Sequence, residues 1–398
     1  MGFIDHHEAH AHTARLVGAP DAMLVTMDGY GDGLAGTFDA TGPKRRDFKS
    51  PGHSLALVYG AITRLLGFGE GDEGKVMGLA ASGDKERLAD FFERCMSAGG
   101  CDPTLGGRQQ REWLKSQPRE DVAAALQART ESLAKEWIEQ SRGNRVRLAV
   151  SGGLFANVSL NGRLAEAFDH FDCFPHMGDG GLCVGALASA VPELRFGLPF
   201  TGPTWTDEQV RRAIDDGGLC GERSEDPEGQ LLETILDGGI TARFYGRSEF
   251  GPRALGHRSI LMRADRPGLA DRLNQQLGRN DFMPFAPIRR LGAGSLTMTV
   301  VVEADRTLRE RCPAAVHVDG SVRTQLAHPR ADPGLWSLLG RAEAAGLPAL
   351  INTSFNRHGE PIVESPTDAV RTFKAAGLDV MQMGRFVVRA KPGSIDRP

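Results

Sequence analysis

Small and apolar residues recur at helical spacing from Ile4 to Val17, and Asp5 stands where an N-cap belongs, so the chain opens on a helix. Leu24 to Asp28 and Leu34 to Asp39 are short apolar strands. The Gly-rich turn Gly29-Tyr30-Gly31-Asp32-Gly33 joins them into a hairpin. Leu55 to Leu66 predicts a helix, Glu70 to Gly83 an irregular turn and helix start, and 84–145 a mostly amphipathic helical stretch. Arg145 to Val150 has the pattern of a buried strand, running into Ser151-Gly152-Gly153 and a helix from Phe155 to Phe168. Pro and Gly crowd Val191 to Thr206, which marks a boundary between a domain at 1–200 and another at 206–398. Beyond it the pattern predicts a helix at Thr206–Asp215 and strands at Ile240–Tyr245, Thr297–Glu303, Ala349–Asn352 and near Val380–Met383. The mixture argues an α/β first half and an α+β second half, with no fixed-period repeat.

Composition changes this picture little. Of 398 residues, 40% are hydrophobic and 25% charged, an ordinary globular balance. The net charge of −4 argues against a nucleic-acid grip by a basic face. The six cysteines, Cys95, Cys101, Cys173, Cys183, Cys220 and Cys312, form no CxxC pair, so neither a zinc ribbon nor a disulfide framework is indicated. With no signal peptide and no apolar run of membrane-spanning length, the expectation is a cytoplasmic protein without membrane partners.

The chemistry lies in a few clusters. In Asp5-His6-His7-Glu8-Ala9-His10-Ala11-His12, His6 and His10 are four apart on a helix and project from one face, a metal-ligand spacing. A solvated His-rich helix start is the plainer alternative, but four histidines among two acids favour metal. Asp28 ends a strand before glycines and can hold a cation, although Asp-Gly sequences also make plain hairpin turns. Lys75 in Glu73-Gly74-Lys75 can neutralise a phosphate, but the spacing is not a Walker A loop and an exposed lysine serves as well. Gly152 and Gly153 between a strand and a helix predict free N–H groups for a phosphate, rather than merely a tight turn. Asp179 in Gly178-Asp179-Gly180-Gly181 supplies a carboxylate which, with two imidazoles, suits Fe(II) or a similar ion. Arg247, Arg253 and Arg258 lie within twelve residues among glycines, forks suited to phosphate or carboxylate oxygens. Asn352-Thr353-Ser354-Phe355-Asn356 sets polar side chains just after a strand, which positions a polar ligand or caps a turn.

Together these segments resemble the carbamoyltransferases of nodulation-factor and antibiotic tailoring. The strings DHHEAHA, DGYGDG, EGKVMGLA, SGGLFANVSLN, GDGGL, GRSEFGPRALGHRSIL, FMPFAP and NTSFNRHGEPIVESPTDA occur in the family's order and cover nearly the whole chain. The resemblance implies an actin/sugar-kinase-like (ASKHA) domain lacking its first strands, followed by an α+β YrdC-like domain. It implies that carbamoyl phosphate and ATP form carbamoyl-AMP in the second domain, and that the first transfers the carbamoyl group to a hydroxyl. His6, His10, Asp28 and Asp179 would then hold Fe2+ or another divalent transition metal, and Lys75, Gly152, Gly153 and Asn157 would sit near nucleotide phosphates. Arg253 and Arg258 would hold carbamoyl phosphate, with Mg2+ as a further candidate ion. His317, Arg323, Ser354 and Asn356 would line the adenylation site. Glu8 or His7 could take the hydroxyl proton.

The implied acceptor is a small-molecule hydroxyl of a sugar, glycan or natural product. Two other readings are a threonylcarbamoyl-tRNA-type transferase and an impaired nucleotide-binding paralogue with a regulatory role. The chain departs from the family pattern at Leu277 and Met283, where many members carry Lys and Arg, leaving Arg279. It also begins at the His-rich helix, where the family carries earlier strands. That predicts an exposed apolar edge on the hairpin, filled by a homodimer or by a separately encoded N-terminal segment.

Overall fold

A computed structural model describes residues 3–42, 44–102, 104–279 and 283–389. The chain divides into two compact units, Met1–Gly197 and Leu198–Pro398. The first unit runs α1 (His6–Val17), β1 (Met23–Gly31), β2 (Leu34–Phe38), β3 (Arg46–Phe48), α2 (Leu55–Leu65), α3 (Glu73–Leu79), α4 (Ala89–Cys95), β4 (Met96–Ser97), β5 (Gly100–Cys101), α5 (Arg108–Lys115), α6 (Arg119–Arg142), β6 (Arg147–Ser151), α7 (Val158–Ala167), β7 (His170–Cys173) and α8 (Leu182–Ala190).

Its sheet has the order β3-β2-β1-β6-β7, with β1 antiparallel to β2 and parallel to β6. Strand alternation decides what each face does. Met23, Val25 and Met27 of β1 enter the main core with Phe38, Val58, Phe92, Trp137 and Val150. Leu24 faces the other way, toward Ala11 and Ala14 of α1 and Ala149 of β6. Because those neighbours are small, α1 lies close on the sheet: a Cβ on Gly18 would come within 2.5 Å of that of Ala149. The far side of α1 meets α8 just as closely, since a Cβ on Gly185 would lie 2.1 Å from the Ala9 carbonyl oxygen.

The stretch 84–145 is mostly helical, as α4, α5 and the 24-residue α6, interrupted by the β4–β5 hairpin and by glycines at 100, 106 and 107 with positive φ. Two expectations are corrected. The hairpin leaves no bare apolar edge: β1 is paired on both sides and β2 is paired outward by β3. Asp5 makes no capping bond; the α1 N-terminus is capped in space by Asp32, whose Oδ2 accepts from His6 N at 2.7 Å.

The second unit runs α9 (Asp207–Asp216), β8 (Cys220–Arg223), α10 (Pro227–Leu236), β9 (Thr241–Phe244), β10 (Arg258–Arg263), α11 (Pro267–Leu277), β11 (Ala286–Arg289), β12 (Val302–Glu303), α12 (Arg306–Arg311), β13 (Ser321–Val322), β14 (Gln325–Leu326), α13 (Pro333–Ala344), β15 (Leu350–Ser354), α14 (Pro366–Ala375), β16 (Val380–Met383) and β17 (Phe386–Arg389). Eight strands form one mixed sheet, β14-β11-β15-β10-β9-β16-β17-β8. Both faces are covered. Ile260, Met262 and Ile351 pack under α9, α11 and α14, whereas Leu261, Leu350 and Val387 pack under α10 and α13. Leu277 is wholly buried in the first of these cores, which accounts for an apolar residue there. The strand expected at Thr297–Glu303 is only Val302–Glu303, and Met298 within that stretch takes a positive φ. Phe282 of the FMPFAP string lies outside the described residues. No helix among the described residues is long and apolar enough to cross a membrane.

Candidate functional site

In the first unit, α1, β1 and the turn before α8 bring four side chains together. Between Met27 and Gly31 the β1–β2 register shifts, and this bulge carries Asp28. The hairpin closes through Asp32 and Gly33, both at positive φ, the geometry of a tight two-residue turn. Gly31 lies flat against the His6 ring, where a Cβ would approach to 2.5 Å. As a result Asp28 Oδ2 stands 2.9 Å from His6 Nε2 and 3.1 Å from His10 Nε2. Asp179 Oδ1 is 3.6 Å from each of the same nitrogens. One ligand atom from each residue falls within 4.8 Å of all the others. His10 is fully buried, His6 and Asp28 are 17% and 15% exposed, and Asp179 is 70% exposed, so the cluster opens on the Asp179 side.

His6, Asp28 and Asp179 titrate away from their ordinary values. The hydrogen bond to Asp28 raises the His6 pKa against the effect of burial. Burial alone would raise Asp28, but hydrogen bonds from His10 and His6 and the Gly29 amide hold it well below the carboxylate range. Burial and the neighbouring Asp28 charge raise Asp179. Ser151 Oγ, which donates to the Met177 carbonyl at 3.1 Å, also lies 3.1 Å from His10 Nδ1 and fixes that edge of the ring. The other edge, Nε2, is thereby aimed at Asp28 Oδ2. Two carboxylates and two imidazoles with an open side fit a divalent transition ion.

The histidine and the acid expected to take a proton, His7 and Glu8, do something else. His7 is buried, donating from Nε2 to the Leu34 carbonyl at 3.0 Å and accepting at Nδ1 from Thr26 Oγ1 at 2.7 Å. Burial lowers its pKa to about 4, so it is a neutral tie between helix and hairpin. Glu8 is exposed, and among the described residues its only ion pair is with His12, at 3.9 Å.

The expected phosphate loop is also corrected. Gly152 N donates to Met177 O at 2.7 Å, Gly153 N donates to Asp28 Oδ1 at 3.2 Å, and a 3₁₀ turn (Gly153–Ala156) precedes α7. Neither amide is free for a ligand; that of Gly153 helps hold Asp28. Asn157 caps α7 through Leu160 N and pairs with Gln127, and Lys75 Nζ sits 2.9 Å from Asp72 Oδ1.

In the second unit the loop between β9 and β10 carries Arg253. Its neighbour is Arg323, whose pKa falls well below the usual range, first because of Arg253 and then because of burial. Burial also lowers Arg253. Among the described residues neither guanidinium has an ion-pair partner, and Arg323 Nε is buried without a hydrogen bond. Two facing cations without a counter-charge fit an anion. His317 starts the turn into β13, with Nδ1 3.6 Å from Asp319.

Arg258 is elsewhere: fully buried, it donates to the carbonyls of Tyr245, Gly246 and His257 and lies 3.7 Å over the Phe244 ring. Burial lowers its pKa to about 10. Its Nη1 and Nη2 brace the loop, while Nε is buried without a hydrogen bond. Ser354 and Asn356 are joined by Arg279, which donates to Ser354 Oγ at 3.1 Å and Asn356 Oδ1 at 2.9 Å. Sequence reasoning named Arg279 only as a remaining cation; its clamp on Ser354 and Asn356 appears only in three dimensions.

Side chains satisfy the backbone of this loop nearly atom by atom. Glu249 Oε1 accepts from the amides of Leu255, His257 and Arg258 at 2.7, 2.8 and 3.1 Å. Ser259 Oγ accepts from Gly256 N, while Asn352, Gln325 and Arg243 donate to the carbonyls of Ala254, Leu255 and Gly256.

A family model described as Carbamoyltransferase C-terminus matches residues 232–390, and one described as Carbamoyltransferase N-terminus matches 104–188. Nodulation protein NolO of Bradyrhizobium diazoefficiens is 33% identical, over 98% of this chain and 80% of its own length. The 3'-hydroxymethylcephem-O-carbamoyltransferase of Streptomyces clavuligerus is 29% identical, over 81% of this chain and 66% of its own length. Among solved structures, full-length HypF in its phosphate- and nucleotide-bound form is 14% identical with a TM-score of 0.28, covering 42% of this chain and 22% of that one. That likeness is too slight to bear on the fold.

Proposed function

The chain belongs to the carbamoyltransferase family, and from that premise we infer that it is an ATP-dependent O-carbamoyltransferase with one reaction centre in each unit. The observation that carries the two-centre reading is the opposite charge of the two clusters. His6, His10, Asp28 and Asp179 suit a cation, while Arg253 and Arg323 suit a dianion such as carbamoyl phosphate. In this reading the second unit is the YrdC-like domain and the first an ASKHA domain lacking its first strands. The cephem relative's printed name supports a hydroxyl of a small molecule as acceptor; a sugar or glycan hydroxyl suits the same chemistry.

Water releases phosphate from carbamoyl phosphate and leaves carbamate. A carbamate oxygen attacks the α-phosphorus of ATP, and pyrophosphate leaves with the electron pair of the broken P–O bond, giving carbamoyl-AMP. Arg253 and Arg323 stabilise charge on the phosphoryl oxygens. The acceptor hydroxyl then attacks the carbamoyl carbon, AMP leaves, and the hydroxyl proton passes to solvent on the open Asp179 side. A divalent transition metal such as Fe2+, held by His6, His10, Asp28 and Asp179, would polarise the carbamoyl carbonyl or orient the hydroxyl.

The test separates the two centres. Carbamoyl-phosphate-dependent ATP–pyrophosphate exchange is expected to be strongly weakened, through a raised KM for carbamoyl phosphate, in Arg253→Ala. It is expected to persist in His6→Ala/His10→Ala, which loses bound metal and acceptor carbamoylation. Loss of exchange in the histidine variant, or normal exchange in the arginine variant, refutes the assignment.

A further inference from the structure

We propose that Glu249 is a positioning residue for the anion site of the second unit, its carboxylate holding the backbone that follows Arg253 so that Arg253 stays beside Arg323. The inference rests on the reading of Arg253 as a ligand for carbamoyl phosphate, and it adds a residue that touches no substrate.

The geometry is a closed ring. The chain leaves Glu249, turns through Gly251 at φ +122°, passes Arg253, and returns so that the amides of Leu255, His257 and Arg258 all point at Glu249 Oε1. Three N–H donors converge on one carboxylate oxygen, and bonds of this kind are the strong ones. The start of the ring is fixed as well: Glu249 forms a β-bridge with Phe200, and Phe250 N donates to Pro199 O at 2.8 Å. Arg253 therefore rides on a segment tied at both ends.

The tie is needed because Arg253 and Arg323 repel one another. A slack loop would let Arg253 swing into solvent and dissolve the site before an anion arrives. Glu249 does not itself neutralise the arginine pair: it makes no ion pair with either, and its second oxygen is buried without a hydrogen bond. Its influence on the site passes through the backbone.

The experiment is a mutant cycle on the full chain, with carbamoyl-phosphate-dependent ATP–pyrophosphate exchange as the readout. Glu249→Ala is expected to raise the KM for carbamoyl phosphate about tenfold or more, with kcat within about threefold. Glu249→Gln, which keeps one accepting oxygen, is expected to raise it about threefold. In an Arg253→Ala background neither change is expected to have a further effect on KM. Unchanged KM in the single variants, or an equal rise when Arg253 is absent, overturns the proposal. Should Glu249→Ala not fold, Glu249→Gln decides by the same two criteria. Normal KM in Arg253→Ala alone would instead overturn the underlying reading of the site.

Discussion

Replacing Asp332 by Asn tests whether the buried charge network behind the Arg253 loop is as consequential as its geometry suggests. Arg243 on β9 is fully buried and pairs with Asp332, with Glu228 at 3.2 Å, with Gln382 at 2.9 Å and with the Gly256 carbonyl at 2.9 Å. Asp332 also caps α13 through Leu335 N at 2.9 Å. Asn keeps the shape and an oxygen for the cap but removes the counter-charge. Breaking a buried pair on one side costs about 3–5 kcal/mol, and because Glu228 remains, the lower end, ~3 kcal/mol, is expected. Urea unfolding at pH 7, followed by tryptophan fluorescence, measures this. A companion variant, Asp332→Asn with Arg243→Met, should recover at least half of the loss, since the stranded guanidinium is gone. A loss under about 1 kcal/mol, typical of an exposed pair, or no recovery in the double variant, would refute the reasoning. The acid limb offers a second check. Burial would raise Asp332, but the Arg243 charge and the His257 and Arg243 hydrogen bonds hold it well below the usual range. Its contribution is therefore complete above about pH 4 and lost as pH falls further, and the Asn variant should show a shallower acid decline.

Three other outcomes follow from the first unit. Ser151→Ala removes the hydroxyl that orients His10 and should weaken divalent-metal affinity by about ten- to a hundredfold in chelator competition; unchanged affinity would remove Ser151 from the site. His7 is neutral in the fold with a pKa of about 4, so as pH falls from about 6.5 toward 4 the unfolded chain takes up a proton that the folded one refuses. Stability should drop by on the order of 3 kcal/mol over that window, and a His7→Gln variant with the same slope would contradict this. Gly152→Ala forces a Cβ to 2.2 Å from Met27 O at φ +114° and should cost more than about 3 kcal/mol, visible as a lowered thermal midpoint; an unchanged midpoint would show that the turn can relax.

How much of this could be read in advance depended on whether the controlling contact was local. The His6 and His10 pair follows from helical periodicity, and the helix was readable to within two residues at its start. The strand at Val380–Met383 follows from a compact apolar run. The α1 cap did not, because Asp32 arrives from across a hairpin. The amides of Gly152 and Gly153 looked free because nothing near them in sequence takes them up; their acceptors are Met177 and Asp28. Arg253 and Arg258 look alike as forks in one motif, yet one neighbours another cation and the other donates to three backbone carbonyls. Only the path of the loop separates them.

That loop carries one more consequence, for the rates at which its amide protons exchange with deuterium. Residues 254–257 belong to no helix or strand, and such segments ordinarily exchange through small local fluctuations. Here the protons of Leu255, Gly256, His257 and Arg258 are held by Glu249 and Ser259, side chains anchored within the second unit. To release them, side-chain contacts on several elements must break at once. Irregular in outline, this stretch should be as slow to label as the strand it leads into.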